Sequence, residues 1–173
     1  MSSAAFTRFV KASGLLLIAI FSGLFILGFV IGETDLMSEL FEKIGTIAEI
    51  GAIAAFSLWV IRILLMQLKK REFTYLRWVQ LAFKFLKEHH ILIGWAAFSA
   101  AFAHGTYFLL QTSEETESIY SGLVTLIGFT VLVTFGLFLD NRGKGRKYLK
   151  YKKIHQGISV LFGIALVVHL LFG

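Results

Sequence analysis

Four of the five histidines in this chain fall into two matched pairs. His90 and His104 stand 14 positions apart inside HHILIGWAAFSAAFAHGTYFLL, and His155 and His169 stand 14 apart inside KKIHQGISVLFGIALVVHLLFG. On an α-helix, 14 residues is just under four turns. The second imidazole therefore returns to within roughly 40° of the first, about 21 Å further along the axis. Two such helices facing each other offer two imidazoles at one depth and two at another. Opposed neutral imidazoles are the ligands of a six-coordinate haem iron. The spacing predicts two bis-histidine haems b, with His90 and His155 on one iron and His104 and His169 on the other.

Other metals suit the pattern less well. Two histidines at one level are too few for zinc, no carboxylate or thiolate accompanies them, and the i,i+4 ligand spacing is absent. His89 adjoins His90 and competes with it as a ligand, but a 15-residue step turns the imidazole roughly 60° in the opposite sense. Gly94, one turn from His90, and Gly105, Gly157 and Gly163 would let a flat macrocycle approach the backbone. The same glycines would equally serve helix packing in a membrane. Phe98, Phe102, Tyr107 and Phe162 could flank the rings or simply pack. Haem propionates need cations or donors. Lys87, Lys152 and Lys153 are the candidates near the inner pair, whereas the outer pair has only Gln111, Thr112 and Tyr107.

The elements that must position these residues are membrane spans. Of 173 residues, 57% are hydrophobic and only 16% charged, with mean hydropathy +0.76. A soluble domain carries about 25% charged residues. With no cysteine, thiolate metal sites, disulfides and thioether-linked haem are excluded. Apolar runs predict five spans, at about 14–32, 46–68, 90–111, 119–139 and 155–172. The first is longer than a signal peptide's apolar core and lacks a clear cleavage site, so it reads as a retained helix. The expected architecture is an all-α integral membrane protein of one domain, its five helices forming a haem-binding bundle.

Charge supplies the topology. Arg8 and Lys11 precede the first span. Glu33, Asp35, Glu39 and Glu42 against Lys43 make the next segment net −3, and Leu36, Leu40, Phe41 and Ile44 give part of it the spacing of an amphipathic surface helix. Between spans two and three, six cations face Glu72 and Glu88, net +4, interleaved with Phe73, Trp78, Leu81, Phe85 and Leu86. This reads as an interfacial helix on lipid headgroups, not as a nucleic-acid surface. Glu114, Glu115 and Glu117 make the next link net −3, and Asp140 to Ile154 carries seven cations against one carboxylate. Basic and acidic segments alternate, which places the N-terminus in the cytoplasm and the C-terminus outside. Spans three and five then run parallel, with His90 and His155 at the inner end. Within span two, Glu49 and Arg62 are ionisable groups at membrane depth. Glu49 is read either as snorkelling or as a proton carrier, and Arg62 as snorkelling or meeting a propionate.

His90-Ile-Leu-Ile-Gly94 with His104, followed by RKYLKYKKIHQ with His155 and His169, resembles the ferric reductase-like transmembrane domain. That family includes ferric reductases, NADPH oxidases and the membrane subunit of a methionine sulfoxide reductase system. The resemblance covers about residues 46–173. It implies two haems b between the third and fifth spans, and electron transfer from a cytoplasmic flavoprotein or quinol to an outer acceptor such as ferric iron, oxygen species or a partner protein. This chain has Ile91 where the family commonly has arginine, five expected spans where six are usual, and no G-x-G-x-x-G after a strand. The donor is therefore expected on another polypeptide. Rival expectations are a quinone-linked anchor of a larger complex and a non-redox haem-binding or transport subunit.

Overall fold

The computed structural model describes residues 3–32, 34–69, 76–110, 116–141 and 146–172. They form five helices: α1 (Ser3–Ile31), α2 (Asp35–Lys69), α3 (Leu76–Leu110), α4 (Thr116–Asn141) and α5 (Arg146–Phe172). Each is long and apolar enough to cross a membrane. Lys70, Arg71, Glu72, Phe73, Glu114, Glu115, Arg142, Gly143, Lys144 and Gly145, which entered the charge and turn assignments, lie outside the described residues, as does Glu33.

Two helices overrun the spans read from hydropathy. α2 and α3 have 35 residues each, roughly 52 Å, against a hydrocarbon core of about 30 Å. The acidic stretch from Asp35 onward is the start of α2. Leu76 to His89, within the 69–89 stretch expected as an interfacial helix leading into the third span, is continuous with the rest of α3. Hydropathy ends where side chains turn polar, whereas Glu, Lys, Gln and Arg propagate a helix almost as well as leucine. No proline interrupts either segment.

The turn from α1 to α2 has its own chemistry. Gly32 adopts φ +75°, a left-handed conformation that ends α1, and its N–H donates to the Gly28 carbonyl at 3.0 Å. Two residues later the Thr34 hydroxyl accepts from the Met37 N–H at 3.2 Å and caps α2.

α3 is the centre of the bundle. It packs along α2, against α1 and against α4, while α4 packs along α5. No comparable backbone contact joins α3 to α5. One core cluster unites Phe21, Met37, Phe41, Ile44, Ala48, Ala100, Ala103 and Tyr107; a second unites Ala52, Ala97, Phe129 and Phe162. The alanines of α3 recur at helical spacing, so α2 can approach closely without a hydrophobic driving force between helices. The outer surface is apolar: Val30 and Leu171 are each 74% exposed, as lipid-facing residues must be.

Candidate functional site

The histidines of α3 and α5 form two levels along those helices. His90 and His155 face each other with ring centroids 6.4 Å apart and planes at 86°. His104 lies within electrostatic range of His169. The two levels are separated by roughly 21 Å along the helix axes.

Each histidine is backed by a flanking helix. His104 Nδ1 lies 2.8 Å from the Phe41 carbonyl of α2. A carbonyl only accepts, so Nδ1 carries a proton, and in the neutral ring the lone pair is on Nε2. His169 Nδ1 lies 3.1 Å from Ser121 Oγ of α4, and that hydroxyl donates to the Ser118 carbonyl at 2.9 Å. With its proton committed, Ser121 accepts from His169, whose Nε2 is likewise left with a lone pair. The His90–His155 level differs. The His90 ring lies beside the Ala55 backbone and the His155 ring beside that of Leu132. Yet both Nδ1 atoms are buried without a hydrogen-bond partner.

The flanking helices repeat the interval of the histidines. Phe41 and Ala55 of α2, beside His104 and His90, are 14 residues apart. Gly122 and Gly136 of α4, beside His169 and His155, are also 14 apart. A Cβ at Gly45 would stand 2.7 Å from His104 Nδ1, and one at Gly122 would stand 3.2 Å from His169 Cε1. A helical side chain covers the turn before it. An alanine at 45 would therefore screen the Phe41 carbonyl, one turn earlier, from the ring that bonds it.

Between the levels stands an aromatic partition. Ala97 is seven residues from both His90 and His104, and Phe162 is seven from both His155 and His169. Seven residues is two turns less roughly 20°, so each shares its histidines' stripe. Phe129 of α4 lies tilted against Phe162 at 4.7 Å and meets Phe98 edge-on at 5.5 Å. Tyr107 is instead committed to α2, stacked on Phe41 at 4.1 Å with its hydroxyl 3.3 Å from Ser38 Oγ. Phe102 is exposed and meets Phe25 of α1.

The remaining sequence candidates separate. A Cβ on Gly94 would meet nothing within 4 Å, so open space lies one turn from His90. Gly105 packs on Leu126 and Gly163 on Phe56, as helix-packing glycines do. Gly157 is exposed and lies roughly 200° round the helix from His155. Lys87 and Lys152 each precede a histidine by three residues, one turn back; Lys87 is exposed and Lys152 half-buried. Lys153 is exposed on the far side of α5. None of the three pairs with a carboxylate among the described residues. Gln111 and Thr112 lie outside those residues. His89 is buried at 3% exposure and packs on Phe85 at 4.8 Å, turned away from the His155 ring that His90 faces. Glu49 is half-buried roughly four turns into α2, and Arg62 is exposed near its other end.

Sequence reading had not singled out Gly45, Ser121, Gly122, Gly136 or Phe129; the interval between Gly122 and Gly136 is the one signal that could have found any of them. Compared with known proteins, the chain matches no family model, no curated protein and no solved structure.

Proposed function

We propose that the chain is a two-haem b-type membrane cytochrome of the ferric reductase-like kind, with His90 and His155 on the inner iron and His104 and His169 on the outer. Two such haems, when bound, carry electrons across the membrane, here from a cytoplasmic-side flavoprotein or quinol to an outer-side acceptor such as ferric iron, oxygen species or a partner protein. The observation that carries the reading is the pair of opposed imidazoles on α3 and α5. A metal bonded at about 2 Å to one nitrogen of each of two coaxial imidazoles sets the ring centroids roughly 6 Å apart. The separation of His90 and His155 is 6.4 Å.

Three further features fit a planar tetrapyrrole iron. At the outer level both Nδ1–H groups are held by acceptors, the arrangement that orients a histidine ligand and raises its basicity. His90 with His155, and His104 with His169, would each supply two ligands, and a haem would supply the remaining ones together with the redox chemistry; among the described residues no three His, Asp, Glu or Cys side chains converge. The open space at Gly94 lies where a macrocycle would need room. The chain's own residues then do four things. α2 and α4 hold the imidazoles in one tautomer at the outer level. Gly45 keeps the Phe41 carbonyl uncovered. Phe98, Phe129 and Phe162 exclude water between the levels. Lys87 and Lys152 stand ready for negative groups at the inner edge.

The alternating charge of the segments supports an inner N-terminus and an outer C-terminus in a cell membrane. The basic inner segments suit an acidic partner or anionic cofactor, and the acidic outer ones would concentrate cations. Haem stoichiometry with a redox titration on the purified chain tests the reading. Two haems per polypeptide with a bis-histidine reduced spectrum are expected. A preparation with no reduced α-band would overturn it, and one haem per chain would overturn the two-level pairing.

A further inference from the structure

A second site lies on the same helices as the inner histidine pair, toward their basic end. There α2 and α3 flank an open cleft of about 300 Å³ lined by Arg62, Leu65, Met66, Lys69, Gln80 and Phe83. The α2 residues fall at i, i+3, i+4 and i+7, one stripe of that helix, and Gln80 and Phe83 are i and i+3 on α3. Arg62 is seven residues beyond Ala55, which backs His90, and Phe83 is seven before His90. The cleft therefore sits about two turns, roughly 10 Å, beyond the His90–His155 level on the same faces.

Its lining is amphiphilic and its charge uncompensated. Two cations and an amide meet two aliphatic side chains and a phenyl ring. Among the described residues neither Arg62 nor Lys69 pairs with a carboxylate. Depth identifies the setting. Lys43 and Arg62 are 19 residues apart, about 28 Å on a helix, close to the thickness of a hydrocarbon core. With Lys43 at one boundary, Arg62 reaches the other, and Lys69 stands roughly 10 Å further, within the headgroup layer. Basic clefts between membrane helices at this depth recognise anionic headgroups.

We infer that the cleft between the end of α2 and the start of α3 binds the phosphate of an anionic phospholipid. Arg62 and Lys69 neutralise the phosphate and Gln80 donates to it, while Leu65, Met66 and Phe83 line the path of the acyl chains. The inference does not depend on haem.

Native mass spectrometry of the full chain, released from nanodiscs of mixed phosphatidylglycerol and phosphatidylcholine, tests it. Retention of phosphatidylglycerol over phosphatidylcholine by about tenfold or more is expected, abolished in the Arg62→Gln, Lys69→Gln double variant and kept in Arg62→Lys. Lys84→Gln, at an exposed site paired with Glu88, should leave retention unchanged. Equal retention of the two lipids by the unaltered chain would overturn the inference, whatever the variants do. So would undiminished retention in a helical double variant. Binding of inorganic phosphate alone, strong enough at millimolar concentration to displace phosphatidylglycerol, would assign the site to a free phosphate and overturn the lipid assignment.

Discussion

A Cβ added to Gly45 would stand 2.7 Å from the Nδ1 of His104, the atom that bonds the Phe41 carbonyl at 2.8 Å. Glycine at 45 and histidine at 104 are thus one unit. The missing side chain exposes the acceptor, and the acceptor fixes the ring. Gly45→Ala should displace the imidazole from the carbonyl, which keeps its helical N–H donor, and the lost hydrogen bond should cost about 0.5–1.5 kcal/mol. The expected outcome is loss of, or a spectral change in, the outer haem alone, with helicity retained by circular dichroism.

The two-level pairing predicts how single substitutions group. His90→Ala and His155→Ala should each remove the same component of a redox titration, and the double variant should remove no more than either single one. His104→Ala and His169→Ala should remove the other component. A variant of His104 that keeps both titration components would contradict the assignment.

Ser121 offers a gentler test. Its Oγ accepts from His169, and Ser121→Ala removes that acceptor without touching the ligand. An imidazole whose Nδ1–H is unbonded is a weaker donor to iron. The outer midpoint potential should rise by roughly 40 mV, the one-electron equivalent of about 1 kcal/mol. The inner potential should not move, since Ser121 backs only His169.

Membrane orientation can be read with introduced thiols, because the chain has no cysteine of its own. A cysteine replacing Glu39 should react with an impermeant maleimide added outside intact cells, and one replacing Lys84 should react only after permeabilisation. Both positions are exposed, so labelling depends on sidedness and not on packing.

The start of α2 gives a purely structural prediction. Thr34→Ala removes the hydroxyl that accepts from the Met37 N–H. It should destabilise the protein by about 1 kcal/mol, seen as a lower midpoint in thermal unfolding in detergent, with haem content unchanged.

The histidine spacing is legible in the sequence because helical geometry converts 14 residues directly into depth and direction. Gly122 and Gly136 carry the same interval, but it acquires meaning only once α4 is known to back α5. Phe41 is illegible in principle. It contributes a carbonyl, which every residue has, and only the glycine one turn later makes that carbonyl available. Helix ends were hidden for a different reason. Hydropathy reports the solvent of a side chain, so the polar turns at Asp35–Lys43 and Leu76–His89 read as loop or surface although their backbone is helical. Gly105 and Gly163 show the ambiguity of small residues: the same residue type serves close packing here and open space at Gly94.

The unequal helix lengths shape how anything can reach His90 and His155. α2 and α3 continue 14 residues past the level of Ala55 and His90, roughly 21 Å, whereas α4 runs five residues past Gly136 and α5 begins nine before His155, roughly 8 and 14 Å. Among the described residues that end is a step, with a tall two-helix wall of α2 and α3 beside a lower tread formed by the ends of α4 and α5. A protein lying flat across the wall would be held about 10 Å too far away. A partner that approaches closely must be notched to match, standing on the tread with its side against the wall.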